Sequence, residues 1–142
     1  MILANATALA ANDAIVDRYD VGSAVANGYI VFYDGTPPAD ADTALSGNNV
    51  LATVQFQAPA YGASSDDTPG AIASLLGVTL SDLAIDADGT PTFARGFNRD
   101  NNVVAQYTVD ETGSPDILVN TTDWVENAQF DIVSFVHSHP ES

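Results

Sequence analysis

The sequence contains neither cysteine nor lysine. Without cysteine there can be no disulfide bond and no thiolate metal site, so the stability of the fold must come from packing. At 142 residues the chain fits a single domain, and a domain of this size buries roughly 68–70% of the surface that its unfolded state exposes. A substantial hydrophobic core is therefore available to it.

Positive charge is nearly absent as well, because Arg18, Arg95 and Arg99 are outnumbered by 19 Asp and Glu residues and the formal net charge is −16. Nucleic-acid-binding proteins attract phosphate with clusters of Lys and Arg. No apolar run approaches the roughly 18 residues of a membrane-spanning helix, and residues 1–3 lack the basic side chains of a secretory signal. We therefore expect no nucleic-acid partner and no membrane partner.

Two explanations of the acidity compete. Asp34, Asp88, Asp100 and Asp110 occupy turn-like positions, where a carboxylate caps local backbone amides. Alternatively, the acidity is an adaptation to high salt, because at 1 M salt the Debye length falls to about 3 Å and the repulsion between carboxylates is screened. The complete loss of lysine favours the second explanation, which predicts a host in a salty environment.

In a chain with so many carboxylates, its three arginines are expected to have anionic partners. Arg95 lies within a predicted strand and Arg99 lies in the turn after it. We expect both to pair with carboxylates, either within the protein or across a subunit interface.

The two histidines form the most suggestive metal-binding pattern. His137-Ser138-His139-Pro140 resembles the zinc-binding signature of the JAMM metalloprotease family, in which an Asp downstream completes the site. The sequence ends at Ser142 without that Asp. His137 and His139 are therefore weak metal candidates.

A second pattern, Asp86-Ala87-Asp88-Gly89, resembles the start of a calcium-binding loop. Its sixth position is Pro91 instead of Gly and its twelfth is Phe97 instead of Glu. Asp86 and Asp88 are weak metal candidates, and an Asp-Gly hairpin turn is the simpler interpretation. Since no nucleophile and base pattern or phosphate loop is present either, we expect no catalytic site and no cofactor.

The N-terminal residues predict a helix. Residues 2–19 are rich in Ala, with apolar Leu9, Ile15 and Tyr19, and Gly22 provides a stop. This helix, in a segment spanning residues 1–24, either packs on the sheet of its own chain or forms an arm that docks onto a neighbouring subunit.

After residue 28 the apolar pattern changes to alternation with a period of two, which is typical of strands. The predicted strands are 29–33, 50–57, 78–85, 92–98, 103–109, 117–120 and 129–137. Seven short strands predict an all-β fold, a single antiparallel β-sandwich that is jelly-roll-like or Ig-like, over residues 25–137. The long connections 35–49 and 59–69 are predicted binding or mobile loops, 71–76 a short helical turn, and 138–142 a polar tail.

Several segments occur in an order that resembles small virion proteins of tailed viruses. They are Tyr33-Asp34-Gly35, the Pro- and Asp-rich run 37–43, Leu51-Ala52-Thr53, Tyr61-Gly62, Gly89-Thr90, the run 116–120 and the run 132–135. The resemblance covers residues 28–136 and lies in the order of the segments, because each one alone is an ordinary turn or strand.

The resemblance implies a structural protein of the virion surface, most simply a capsid decoration (cement) protein. Its partners would be the major capsid protein and copies of itself, preferably in a trimer, and the acidity would suit a haloarchaeal tailed virus. The alternatives are a neck, tail or fibre component and a carbohydrate-binding or glycan-hydrolysing virion module. The residues that we expect at such contacts are Ile2, Leu3, Leu9, Ile15, Tyr19, Pro37, Pro38 and Tyr61.

The salt adaptation can be tested directly. If the carboxylates repel one another strongly in dilute buffer, the protein will partly unfold or dissociate there and will be stabilised in molar salt. We expect the melting temperature, measured by calorimetry, to rise between the two conditions. An unchanged melting temperature would leave turn chemistry as the explanation of the acidity.

Overall fold

The computed structural model describes residues 1–67, 70–74, 81–82 and 84–140. Within these residues the chain forms one α-helix, a short 3-10 helix and nine strands. They are α1 Asn5–Val16, the 3-10 helix Asp17–Asp20, β1 Tyr29–Tyr33, β2 Val50–Gln55, β3 Ser65–Asp67, β4 Gly70–Ser74, β5 Ser81–Asp82, β6 Phe93–Phe97, β7 Val103–Asp110, β8 Ile117–Val119 and β9 Phe130–Pro140.

The strands form one sheet in the order β2-β1-β6-β7-β8-β9-β4-β3, with β5 also paired to β9. The chain is therefore mainly β, as predicted. The sheet is mixed and not purely antiparallel as expected, because β7 and β8 run parallel through Val109↔Ile117 and Asp110↔Leu118. The Asp116 carboxylate accepts hydrogen bonds from the Thr108 amide and hydroxyl, both at 2.9 Å, which holds the start of β8 beside β7.

The sheet curls towards its own end. The Asp86 amide, just after β5, donates to the Leu51 carbonyl in β2 at 2.8 Å. β2 is the first strand in the sheet order, whereas β5 pairs with β9 in the other half of the sheet. The two halves therefore approach each other. The inner face encloses the main core, in which the Trp124 and Phe130 ring centroids are 4.0 Å apart. The curl thus allows a single sheet to enclose a core.

The outer face of β1 and β6 carries a second, smaller cluster. Val31, Tyr33 and Phe93 are buried there, whereas Ile30 and Phe32 of the same strand lie in the main core. Both faces of β1 are therefore covered, which explains the uninterrupted apolar run of this strand. The outer cover is the connection between β1 and β2.

The helix packs on the sheet of its own chain. Ala8, Asn12 and Val16 form its buried face, spaced by four residues as one side of a helix requires. Tyr19, in the 3-10 helix that follows, is buried as well. Tyr19 has no exposed surface, whereas Ile15 is only half-buried. Of the two alternatives left by the sequence, this conformation shows the packed helix.

Gly96, in the middle of β6, makes room for the Tyr19 ring. A Cβ atom built at this position would lie 2.2 Å from the Tyr19 hydroxyl oxygen and 2.5 Å from a ring carbon. A glycine that weakens a strand locally therefore allows the helix to sit against the sheet.

Several predicted elements differ in the structure. The chain forms β3 and β4 where we expected the end of a loop and a helical turn, and β9 continues through Pro140 where we expected a polar tail. The reason is non-local: β9 is long enough to offer an edge to β4, with Ala73↔His137 and Ala71↔His139 paired, and these ladder bonds outweigh local propensity.

Some predictions fall on positions outside the described residues. Of the strand predicted at 78–85, residues 81–82 form β5 and 84–85 are not in a strand, while 78–80 and 83 lie outside. Residues 68–69 of the predicted loop, 75–76 of the predicted helical turn and 141–142 of the predicted tail lie outside as well.

Because Tyr19 packs against Gly96, we expect replacement of this glycine by alanine to destabilise the protein. Gly96→Ala would normally favour a strand, but here the added methyl meets a buried ring, so we expect a loss of about 1–3 kcal/mol in the free energy of unfolding. Denaturant titration will measure it. In a Tyr19→Leu background the same substitution should cost much less, and equal costs in the two backgrounds would contradict the proposed contact.

Candidate functional site

The residues predicted at partner contacts do not form one surface. Ile2 is 82% exposed, and Pro37 is also exposed. Tyr19 and Tyr61 are buried in the main core. For these two the prediction is wrong in this conformation, because their rings fill the space between the helix and the sheet. The remaining predicted residues, Leu3, Leu9, Ile15 and Pro38, are half-buried.

The N-terminal segment is the predicted contact region that stays open. Residues 1–4 precede α1 in a non-helical conformation, and Ala4 has extended dihedral angles. No charged side chain occurs before Asp13. An uncharged apolar segment thus leads into a helix that Tyr19 anchors.

The long connection between β1 and β2 is bound to the sheet. Arg95, which is 4% exposed, donates through Nη2 to the carbonyl oxygens of Thr43 at 2.6 Å and Asp40 at 3.1 Å. Its Nε donates to Gln106 Oε1 at 3.0 Å, and the side-chain Nε2 of Gln106 donates to the Pro38 carbonyl at 2.9 Å. The loop is therefore the cover of the outer face and not a free docking segment.

These contacts also correct the expectation for the buried Arg95. The Arg95 guanidinium hydrogen-bonds to carbonyl oxygens and to Gln106, not to a carboxylate. Arg99 likewise donates through Nε to the Val25 carbonyl at 3.2 Å. Loop carbonyls carry lone pairs that point towards the sheet, so a buried guanidinium satisfies several of them at once.

Carboxylates in this loop cap backbone groups. Asp40 accepts hydrogen bonds from the Thr43 hydroxyl and amide, both at 2.7 Å, and these bonds, with a smaller contribution from Arg95, lower its pKa. Asp34 accepts from the side chain and the amide of Asn49, which lowers the pKa of Asp34. Both contacts favour the ionised form.

A buried cluster of tyrosines joins the helix to β7 and β9. The Tyr19 and Tyr107 hydroxyls are hydrogen-bonded to each other, and the Tyr107 hydroxyl lies 3.4 Å from His137 Nδ1. Burial raises the pKa of Tyr107 to about 12 and raises the pKa values of Tyr19 and Tyr61 well above the usual range. Burial also lowers the pKa of His137, against an opposing effect of Asp116. At neutral pH the cluster is uncharged, as a role in packing requires.

The histidine candidates lie on β9 and the aspartate candidates on the connection before β6. His137 lies against the tyrosine cluster, and the Asp88 carboxylate accepts the Glu126 amide hydrogen at 2.7 Å. Gly89 pairs with Trp124, so the expected Asp-Gly hairpin turn is wrong. In the described part of the chain, no three His, Asp or Glu side chains form a group that could hold a metal ion.

One exposed apolar surface was missed by sequence reasoning. On the outer face of β8 and β9, Val133 is 59% exposed and Val136 is 37% exposed, beside half-buried Leu118. We call these three residues and the exposed Ser134 and Ser138 the open outer face. Alternation within the predicted last strand identifies the outward positions, but only the fold shows that the covering loop stops short of them.

Comparisons with known proteins found no match to this chain. No protein-family model matches it, no curated protein matches its sequence, and no solved structure matches its fold. Among the described residues, no helix has the length and apolarity needed to span a membrane.

The role of Arg95 as the anchor of the covering loop can be measured. Arg95→Lys keeps the charge but loses the planar fork, so we expect unfolding to become easier by about 1–3 kcal/mol and the Thr43 amide to exchange its hydrogen faster. Native-state hydrogen exchange and denaturant titration will check both. Exposed Arg18→Lys is the matched control, and equal exchange rates in the two variants would show that the fork does not hold the loop.

Proposed function

We propose that this chain is a structural protein of a virus particle, a capsid decoration protein that binds the outside of the assembled head. The order of its turns and strands, which resembles small virion proteins of tailed viruses, supports the proposal. The curl of the sheet around one core is compatible with a jelly-roll-like or Ig-like β-sandwich, and we propose that architecture as the finer description. The partners would be the major capsid protein and further copies of the chain.

The observation that carries the proposal is the N-terminal segment. Ile2 is 82% exposed on an uncharged stretch, and the helix that follows is fixed through Tyr19 and the tyrosine cluster. A flexible apolar tail would lose much conformational entropy on binding, whereas a segment attached to a packed helix loses less. This arrangement favours a long-lived contact over a transient one.

The mechanism needs only binding energy. Burial of apolar surface contributes about 25 cal/mol per Å², and a protein that binds only the assembled head stabilises it by mass action. The carboxylate-rich exterior would keep the decorated particle soluble and would be screened in a salty environment. Many copies on one head multiply the effect without any chemical step.

The location on the particle can be tested by composition and imaging. We expect mass spectrometry of purified particles to find this chain in a copy number comparable with that of the major capsid protein, and electron cryomicroscopy to place it on the head. A few copies per particle would point to the neck, tail or fibre. Absence from particles, or specific binding of a glycan, would overturn the proposal.

The N-terminal contact has its own test. Ile2→Asp places a charge in the proposed contact, so we expect its affinity for heads lacking the protein to fall at least about 10-fold, the equivalent of roughly 1.4 kcal/mol. Sedimentation of heads with bound protein will measure it. Val125→Asp changes a similarly exposed residue, 54% exposed, in the connection before β9 and should bind like the unmodified protein; equal affinities for both variants would contradict the role of the segment.

A further inference from the structure

We propose that the open outer face of β8 and β9 is a self-association surface, on which a second copy of this chain docks. The inference rests on the proposed function, in which copies of the chain contact one another. It identifies the surface and the side chains through which they meet.

The strand register places the apolar side chains on one face. Leu118 pairs with Ser134, and Val136 lies two residues further along β9, so all three point to the same side. The register shifts between Leu118 and Val119, which leaves Val133 as the extra residue of β9, and this side chain is 59% exposed. From residue 132 to residue 138 the strand extends roughly 20 Å.

On the other half of the same outer face, at β1 and β6, the apolar side chains are buried. There Val31, Tyr33 and Phe93 are buried, and Arg95 and Gln106 hydrogen-bond to the loop between β1 and β2 on the same face. The loop does not reach β9, where Val133 and Val136 remain exposed. One half of the face is covered from within the chain, and the other half is available to a second molecule.

The distribution of charge selects a second copy as that molecule. The chain has a net charge of −16, so most pairs of surfaces from two copies repel each other. Residues 132–138 carry no carboxylate. Asp110, which pairs with Leu118, and Asp131, near the start of β9, lie at the edges of the patch. Two copies that meet here bring uncharged side chains together and repel only across the rim.

A basic partner would select a different part of the molecule. Cationic side chains are attracted to carboxylates, which this patch lacks, and such a contact weakens as salt is added. Contact between two copies of the patch has the opposite signature, because salt screens the repulsion of the rims and strengthens apolar burial. Salt dependence therefore distinguishes the two occupants.

The first experiment measures the association of the purified full chain by analytical ultracentrifugation in dilute and in molar salt. We expect dimers or trimers that become more stable as salt rises. The Val133→Asp/Val136→Asp variant should associate at least about 100-fold more weakly, while Val125→Asp should associate like the unmodified chain. Circular dichroism will establish that each variant is folded, and Val133→Ser/Val136→Ser provides a milder substitution of the same patch.

The second experiment uses the absence of cysteine. Ser134→Cys introduces the only thiol of the chain, so oxidation should join two copies through a disulfide bond if their open outer faces meet, whereas Val125→Cys should not become cross-linked. A monomer in all salt conditions, association that the patch variants do not weaken, or association that salt weakens would overturn the inference. A monomeric chain found on particles would leave the proposed function standing, and an associating chain missing from particles would leave this inference standing.

Discussion

The Tyr19 ring connects the helical and the β part of the molecule. It lies against Gly96 in β6, makes edge contact with the Phe56 ring at a centroid distance of 5.1 Å, and shares a hydrogen bond with Tyr107. Because the ring has no exposed surface, it ties the 3-10 helix that follows α1 firmly to the sheet. The exposed N-terminal segment depends on this anchor, since it extends from the other end of α1.

With three arginines and no lysine, the chain has too few cations to form ion pairs with most of its 19 carboxylates. The structure uses many of them as caps instead: Asp34, Asp40 and Asp100 accept backbone hydrogen bonds in loops. At Asp34 and Asp40 these bonds lower the pKa and so favour the charged form, but they leave the net charge unchanged. Long-range repulsion therefore remains, and ionic strength becomes the variable that governs both stability and association in our proposals.

The outer face of the sheet links the fold to the proposed role. The loop anchored by Arg95 covers β1 and β6, so this part of the chain is complete by itself. The outer side of β8 and β9 is not covered, and its exposed valines lie on a strand that pairs with β8 and β4. A repeated contact between copies needs this combination of a strand held in a sheet and apolar surface, and the absence of carboxylates favours contact at this patch.

Local sequence patterns were sufficient for most strands and for the helix. Alternation, together with β-branched and aromatic runs such as that of β1, predicted the strands that became β1, β2, β6, β7, β8 and most of β9. They could not indicate the direction of β8, since parallel and antiparallel strands share that alternation. Nor could they indicate that the buried face of α1 includes Ala8 and Asn12, which hydrophobicity alone does not select.

What the sequence determined by itself is the class and the surface chemistry: strands with short turns, a helix near the start, and a carboxylate-rich exterior almost without cations. The tertiary structure decided which aromatic side chains are core and which apolar ones are exposed. It turned Tyr19 and Tyr61 from expected contacts into core residues and left Val133 and Val136 uncovered. The physical reason is that burial depends on what packs over a residue, and both the long edge of β9 and the reach of the Arg95 loop are set by contacts between residues far apart in the chain.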